Sequence, residues 1–285
     1  MAVRVVTDSA SSISDADRSR LGLTVVPLPI SEGGRAISED ELAAPGFYER
    51  LAAMPAPPTT SQPTPEAFAT AFRALAGDGH DVLAVLISGD MSGTVASAEA
   101  AAAEVRTDKG SRVEVLDSRS NSLEEGFAVL SAAEAAHAGA GIAECRRLAE
   151  ETMRRTRFLF TPHSLEYLRR GGRISRAGAL AGVVLKIAPV LTAENGSTGI
   201  AGVARSVRAA RAKIAALMRT DVERHGLRRA AVQYAADVDE ANRFAAEVIE
   251  PIVGDAVPVV PIHPVVGLHV GPAVGVVYET EQPLR

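Results

Sequence analysis

The run Asp81–Ile87, DVLAVLI, constrains the fold more than any other segment, because it is apolar without alternation and rich in β-branched residues. Such a run is typical of a strand that is buried on both faces. It leads through SGDMSGT into an alanine-rich helical pattern that begins near Thr94. Similar runs at Val3–Thr7, Leu23–Pro27 and Val113–Leu116 are separated by helical patterns. This alternation predicts a parallel sheet with helices on both faces.

Helix starts in this half of the chain carry capping signals. Ser12 or Ser14 can cap a helix whose first turn is acidic, and Thr64 precedes a proline at a first helical position. Ser38 and Glu41 have the spacing of a capping box. These local signals support the predicted alternation of strands and helices.

The second half has a different pattern. Asn195-Gly196 between two apolar runs is a hairpin signal, and Val207–Arg224 is a long helical pattern. Two prolines restrict the run Val257–Ile262 to an edge strand. We therefore predict an α/β fold of two lobes, an N-terminal parallel α/β sheet in residues 1–160 and a C-terminal mixed α+β lobe in residues 161–285.

The composition excludes several classes of function. The chain of 285 residues has a net charge of -5 without a basic stripe, no tryptophan and only 4% aromatic residues, which argues against nucleic-acid partners. The single cysteine, Cys145, rules out an internal disulfide. Neither a Walker loop, a nucleophile elbow nor a metal-binding spacing occurs. We expect no metal and no cofactor.

The N-terminal residues and the longest apolar-rich stretch predict a cytoplasmic protein. The first residues, MAVRVVTDSA, lack the charged and apolar run of a signal peptide. The stretch Ala177–Leu191 contains Lys186 and is shorter than the ~20 residues that a membrane span needs.

The clearest candidate site is Ser92-Gly93-Thr94, at the end of the central strand and the start of a helix. Backbone N–H groups and the helix dipole favour an anion there, although a helix cap without ligand explains the same residues. Thr60 and Ser61 form a second hydroxyl cluster just before a helix, and turn chemistry is the alternative for them. The two hydroxyl loops could converge on one oxygen-bearing group.

His269 lies between glycines and is expected in an accessible loop, where it could donate a hydrogen bond to a carboxylate or phosphate. A structural role is the alternative. Short basic clusters contain Arg173 and Arg205, which either face solvent or pair with a phosphate or acidic partner. Asp8 and Asp117 end strands, where a place in the cleft and a turn or cap role explain them equally well.

Taken together, these segments resemble the DegV family, which includes the fatty-acid-binding subunit (FakB) of bacterial fatty acid kinase. The resemblance covers nearly the whole chain and keeps the order of the motifs. These are VTDSASSIS (Val6–Ser14), TTSQPTPEAF (Thr59–Phe68), ISGDMSGT (Ile87–Thr94), VEVLDS (Val113–Ser118), LEYLRRGGRIS (Leu165–Ser175), LKIAPVL (Leu185–Leu191), Arg205-Ser206 and HVGPAVG (His269–Gly275).

The resemblance implies a long-chain, palmitate-like fatty acid in an apolar tunnel between the two lobes, and a lipid-binding protein rather than an enzyme. It implies that the carboxylate is held by hydroxyls and a histidine, which match Thr60, Ser61, Ser92, Gly93, Thr94 and His269. In the kinase system that the chain resembles, a separate subunit uses ATP to convert the bound acid to an acyl phosphate. Arg173 and Arg205 match positions linked to partner docking or phosphoryl transfer, and transient membrane contact is compatible with such a role.

Two other functions remain open from the sequence. Ser92 and His269 could form the pair of an acyl hydrolase or transferase, if the fold brings them together. The same donors could also serve a regulatory module for another small anion.

Overall fold

The computed structural model describes residues 2–38, 41–42, 46–54, 57–105, 110–174 and 187–285. The chain forms two compact units, unit 1 from Met1–Pro29 and Thr60–Arg154, and unit 2 from Ile30–Thr59 and Arg155–Arg285. These bounds differ from a division at residue 160, because the chain crosses between units three times and residues 30–59 belong to unit 2. One contact that ties this segment to unit 2 is that of the Tyr48 hydroxyl with Gly267.

The large sheet of unit 1 contains four parallel strands. They are β1 Val3–Asp8, β2 Thr24–Val26, β6 Asp81–Leu86 and β7 Val113–Asp117, in the order β2-β1-β6-β7. The register pairs Val5 with Leu83 and Ala84 with Val115. The predicted parallel sheet is therefore present, with the apolar run of β6 at its centre.

Helices cover both faces of this sheet. They are α1 Asp15–Leu21, α3 Pro65–Gly77, α4 Thr94–Glu104, α5 Ser122–His137 and α6 Ile142–Arg155. Leu83 and Val85 pack in a cluster with residues of α5 and α6, whereas Ala84 and Leu86 pack in another with residues of α3 and α4. Successive side chains of a strand point to opposite faces, so the unbroken apolar run supplies two cores.

Two of the predicted helix starts are confirmed by their capping bonds. The Ser14 hydroxyl accepts from the Asp17 N–H, and the Thr64 hydroxyl accepts from the Ala67 N–H. Ser38 and Glu41 make the two bonds of the capping box: the Ser38 N–H donates to the Glu41 carboxylate, and the Glu41 N–H donates to the Ser38 hydroxyl. Residues 39–40 and 43–45 of that segment lie outside the described residues.

Unit 2 contains a six-stranded mixed sheet in the order β10-β9-β8-β13-β11-β12. Its strands are β8 Thr156–Pro162, β9 Ala188–Glu194, β10 Ser197–Ala204, β11 Arg229–Ala235, β12 Val259–Pro261 and β13 Ala273–Glu279. Asn195 and Gly196 form the hairpin turn between β9 and β10, with φ of 51° and 84°. The proline-flanked β12 lies at an edge, as predicted. Lys186 and residues 177–185 of the apolar stretch lie outside the described residues.

The sheet of unit 2 packs against a core that includes Ile214 and Met218 of a long helix. The helices of this unit are α2 Phe47–Ala53, α7 Glu166–Arg170, α8 Val207–His225, α9 Val238–Phe244, a π-turn at Ala245–Ile249, α10 Glu250–Val253 and α11 Pro264–Val270. A small sheet, in the order β4-β3-β5, is built from β3 Ile30–Glu32, β4 Arg35–Ala36 and β5 Thr59–Thr60. The predicted α/β fold class is confirmed, with a parallel sheet and a mixed sheet.

A buried carboxyl group lies where α5 packs on the turn after β1. Glu125 is fully buried, and its Oε1 accepts a hydrogen bond of 3.3 Å from the Thr7 hydroxyl. The helix α5 packs closely on the turn after β1, since a Cβ on Gly126 would lie 2.5 Å from the Ser11 carbonyl oxygen. Burial, together with the charge of Asp8, raises the pKa of Glu125 well above its usual range.

We predict that Glu125 lowers stability progressively as pH rises. The unfolded chain releases this proton near pH 4.5, whereas the folded chain retains it to a higher pH. The folded state is therefore penalised from that pH upward, until the folded group also ionises. Glu125→Gln should flatten the fall in the free energy of unfolding between pH 5 and 8, measured by urea denaturation. Glu99→Gln, at an exposed position of α4, is the control, and parallel curves for Glu125→Gln and the native protein would contradict the prediction.

Candidate anion-binding residues in each unit

In unit 1, Asp8 fixes the ends of the strands that carry the candidate loop. Its carboxylate accepts from the N–H groups of Ala10 and Ile87, each at 2.8 Å. The neighbouring Ser9 hydroxyl accepts from the Leu28 N–H at 3.0 Å. Asp8 therefore has the turn and cap role that the sequence offered as one of two explanations.

Residues 88–94 form the hydroxyl loop, which follows β6 and ends at the start of α4. Its first part is a compact turn, in which Met91 and Ser92 donate their N–H groups to the Ser88 carbonyl, both at 3.0 Å. The Ser92 hydroxyl hydrogen-bonds the Thr94 hydroxyl at 2.8 Å. Gly93 is the N-cap of α4 and, as a glycine, contributes no side-chain oxygen to the N–H groups of the first turn. This arrangement can bind a carboxylate or phosphate oxygen.

The loop between β7 and α5 braces the hydroxyl loop. Asp117 accepts from the N–H groups of Gly89, at 3.3 Å, and Arg119, at 2.7 Å. The Asn121 amide donates to the Met91 sulfur at 3.3 Å. Asp117 is thus a turn residue that also holds the hydroxyl loop in place.

The second hydroxyl cluster meets the first through a residue that sequence reasoning did not select. A Cβ on Gly93 would lie 3.0 Å from Cδ of Gln62, so the glutamine side chain lies directly against the loop backbone. Ser61 is exposed, and its N–H donates to the Pro29 carbonyl at 3.0 Å, while Thr60 is half-buried at the end of β5. Gln62 directly follows the hydroxyl residues in the segment TTSQP, and this position next to Ser61 is the sequence signal that could have identified it as a candidate.

In unit 2, the expectation that His269 lies in a loop is wrong. His269 occupies the last turn of α11, and the residue is half-buried. Proline at the first turn and glycine at the end delimit a helix that is too short and too rich in valine and glycine to be recognised by periodicity. Burial, and secondarily the charge of Arg173, lowers the pKa of His269 to about 4, so the imidazole is neutral near pH 7.

Glycines allow three side chains to approach closely around α11. A Cβ on Gly267 would lie 2.1 Å from the Tyr48 hydroxyl, and one on Gly271 would lie 2.2 Å from the ring of Tyr167. Gly171, which follows α7, is equally close to the His269 ring. The helix that carries His269 is therefore contacted by tyrosines at its middle, Gly267, and at its C-cap, Gly271.

The predicted basic clusters divide into different environments. Arg169 and Arg170 both pair with Glu166 of the same helix, at 2.7 and 2.8 Å, and are exposed. Arg173 instead donates to the Gly171 carbonyl at 2.5 Å and is half-buried. Arg205 is exposed just before the N-cap of α8. Of these arginines, the structure associates Arg173 with His269.

No helix in the described ranges is both long and apolar enough to cross a membrane. Within the same ranges, no group of three or more His, Cys, Asp or Glu side chains is placed to hold a metal ion.

The parallel sheet of unit 1 and the mixed sheet of unit 2 define the molecule as an α/β protein, and each unit contains candidate ligand-binding residues. The model of the DegV family matches residues 2–281. A DegV domain-containing protein of Clostridium acetobutylicum is 37% identical over 292 residues, with 100% of both chains covered. One of Clostridium perfringens is 32% identical, with 99% of this chain and 100% of that chain covered. The chain belongs to the DegV family.

Solved structures of relatives have the same fold. A DegV family protein from Thermus thermophilus, described as binding fatty acid, has a TM-score of 0.86 at 33% identity, covering 98% of this chain and 100% of that chain. The fatty acid binding protein DegV of Bacillus subtilis has a TM-score of 0.86 at 29% identity, covering 98% and 99%. A stearic acid-binding protein from Eubacterium ventriosum has a TM-score of 0.87 at 26% identity, covering 98% of each chain.

We predict that His269 makes the protein less stable in acid. The unfolded chain takes up this proton near pH 6.5 and the folded chain only near pH 4, so stability is lost as pH falls through this window. The loss amounts to up to roughly 3 kcal/mol, at about 1.4 kcal/mol per pKa unit. His269→Gln should reduce the difference in the free energy of unfolding between pH 7 and 4.5, measured by urea denaturation. His137→Gln, at an exposed position, should leave the difference unchanged. An unaltered difference in His269→Gln would show that His269 titrates normally.

Proposed function

We propose that this protein binds a long-chain fatty acid and acts as a lipid-binding protein rather than as a stand-alone enzyme. The observation that carries the proposal is its similarity, along almost the entire chain, to DegV proteins described as fatty-acid-binding, with 33% identity to the Thermus thermophilus protein. The donors in each unit support it, because a carboxylate removed from water needs several hydrogen bonds.

The acyl tail would supply most of the affinity. Burial of a methylene contributes ~0.8 kcal/mol, so about fourteen methylenes could gain roughly 11 kcal/mol before ordering costs. A hydrogen bond contributes only about 0.5–1.5 kcal/mol net, and somewhat more to a charged group. The polar residues would therefore set position and head-group identity more than affinity.

The proposed carboxylate ligands are Thr60, Ser61, Ser92, Gly93, Thr94 and His269. Ser92 and Thr94 already hydrogen-bond each other at 2.8 Å, so one hydroxyl hydrogen is available to turn toward a bound oxygen. A neutral His269 can donate from a ring N–H without contributing a charge. Gln62 is added to this set because its side chain lies against Gly93.

We further propose that the bound acid is presented to a separate ATP-dependent kinase subunit, which makes the acyl phosphate in the cytoplasm. Arg173 and Arg205 are the candidates for docking or phosphoryl transfer. The exposure of Arg205 beside the N-terminus of α8 suits contact with an acidic partner surface.

The first test is mass spectrometry of the purified protein under native and then denaturing conditions. We expect a mass excess that is released as a fatty acid, and binding of added palmitate by protein stripped of lipid. Ser92→Ala and His269→Ala should each weaken palmitate binding about 10-fold, the equivalent of about 1.4 kcal/mol. Ser19→Ala and His137→Ala, at exposed positions, are the matched controls.

Other outcomes of this test separate the alternatives. Protein that carries no lipid and does not bind palmitate, but binds phosphate or a short acid, would replace the proposal with a small-anion module. Turnover of acyl esters that disappears in Ser92→Ala would replace it with a hydrolase or transferase.

The kinase role is tested by adding an ATP-dependent fatty acid kinase subunit to the palmitate-loaded protein. Arg205→Ala should lower the rate of acyl phosphate formation at least about 10-fold while palmitate binding is retained, because an exposed charge acts on the partner complex. Arg208→Ala, also exposed on α8, is the control. Equal rates for Arg205→Ala and the native protein would remove Arg205 from the proposal.

A further inference from the structure

We propose that Gly171 positions His269, by admitting the imidazole against its own backbone while its carbonyl holds Arg173. This inference rests on the proposed function, in which His269 binds the carboxylate. It assigns different tasks to the two glycines of the RRGGR segment.

The first observation is steric. A Cβ at Gly171 would lie 2.3 Å from Nδ1 and 3.2 Å from Cγ of His269, so no larger residue fits while the ring keeps its place. Gly171 has φ of -74° and ψ of -9°, an α-helical conformation that alanine adopts readily. The backbone conformation of Gly171 therefore permits alanine, and the closest obstacle to a Cβ is the imidazole, with the Tyr167 carbonyl oxygen farther away at 3.2 Å.

Gly172 presents the opposite case. Its φ is 70°, and nothing lies within 4 Å of a Cβ built on it. A side chain there would meet open space but strain the backbone. The adjacent glycines thus provide a matched pair of substitutions, one that displaces His269 and one that does not.

The second observation is that Gly171 also holds the nearby positive charge. The Arg173 guanidinium donates to the Gly171 carbonyl at 2.5 Å. Arg173 is the charged group that acts on His269, where it reinforces the effect of burial in lowering the pKa. Gly171 therefore contacts both the neutral His269 imidazole and the Arg173 guanidinium, and so sets the positions of both.

The third observation is that α11 cannot easily retreat from a new side chain at position 171. The Tyr48 hydroxyl contacts the helix at Gly267, and the Tyr167 ring contacts it at Gly271. A Cβ at position 171 would consequently be accommodated by rotation of the His269 ring, with the helix left in place.

The decisive experiment compares Gly171→Ala with Gly172→Ala. The first measurement is NMR of the ligand-free protein, with the imidazole signals of His269 assigned from His269→Ala. In Gly171→Ala we expect these signals to move and the pKa of His269 to rise from about 4 toward 6.5. In Gly172→Ala they should stay at their native positions. Unchanged His269 signals in Gly171→Ala would overturn the proposal.

The second measurement is a double-mutant cycle with palmitate. Gly171→Ala should weaken binding about 10-fold, the loss of roughly one hydrogen bond to a charged group. In the His269→Ala background it should cause no further loss, since the clashing ring is gone. An equal loss in both backgrounds would assign Gly171 a merely structural role and overturn the proposal.

These measurements keep two failures apart. Native protein that does not bind palmitate would refute the proposed function, whereas the NMR comparison would still decide whether Gly171 positions His269. If Gly171→Ala alone fails to fold, Gly171→Ala combined with His269→Ala should recover a cooperative thermal transition. Failure of the double variant to recover would show that the fold itself, and not His269, requires this glycine.

Discussion

The carboxylate of Asp8 joins the two central strands of unit 1, and the candidate loop depends on this connection. One oxygen accepts from the Ala10 N–H within the turn after β1, and the other accepts from the Ile87 N–H at the end of β6. The adjacent Ser9 hydroxyl holds the Leu28 N–H beyond β2. Asp8 and Ser9 thus link the ends of the three parallel strands β1, β2 and β6 by hydrogen bonds, and these bonds fix the start of the hydroxyl loop after β6. Such preorganisation lowers the ordering cost of binding an anion.

Unit 2 fixes its candidate residue by close packing. His269 lies on a helix of seven residues, which is too short to be stable by itself. The helix is held because glycines at positions 267 and 271 admit Tyr48 and Tyr167 to its backbone. Both units therefore hold their candidate polar groups in place, one by hydrogen bonds to a buried carboxylate and the other by aromatic side chains against glycine.

The sequence predicted the parts of the fold that depend on local signals. The unbroken apolar run of β6 required burial on both faces, the capping residues Ser14 and Thr64 marked helix starts, and Asn195-Gly196 marked a hairpin. The bounds of the units depend on contacts between distant segments. The segment 30–59 belongs to unit 2, where the hydroxyl of Tyr48 contacts Gly267, and no local pattern reports such a contact.

The candidate site was predictable to a similar extent. Ser92 follows a strand and precedes a helix, so the sequence placed it correctly at a helix N-terminus. The loop expected around His269 is a helix, because packing by Tyr48 and Tyr167 overrides the weak helix propensity of valine and glycine. Gln62 was missed for the same reason, since its contact with Gly93 is made across the fold rather than along the chain.

Near His269, the positive charge and the oriented hydrogen-bonding group that could recognise an acid belong to two different side chains, Arg173 and His269. The half-buried imidazole beside Arg173 is neutral near pH 7, so it can act as an oriented hydrogen-bond donor or acceptor. The long-range attraction for an anion would then come from the positive charge of the Arg173 guanidinium. A bound anion would in turn favour the protonated imidazole, because an opposite charge nearby raises the pKa of a histidine. If an anion binds beside His269 as proposed, its negative charge and the protonation of the imidazole would reinforce each other, whereas without a ligand the imidazole stays neutral next to Arg173.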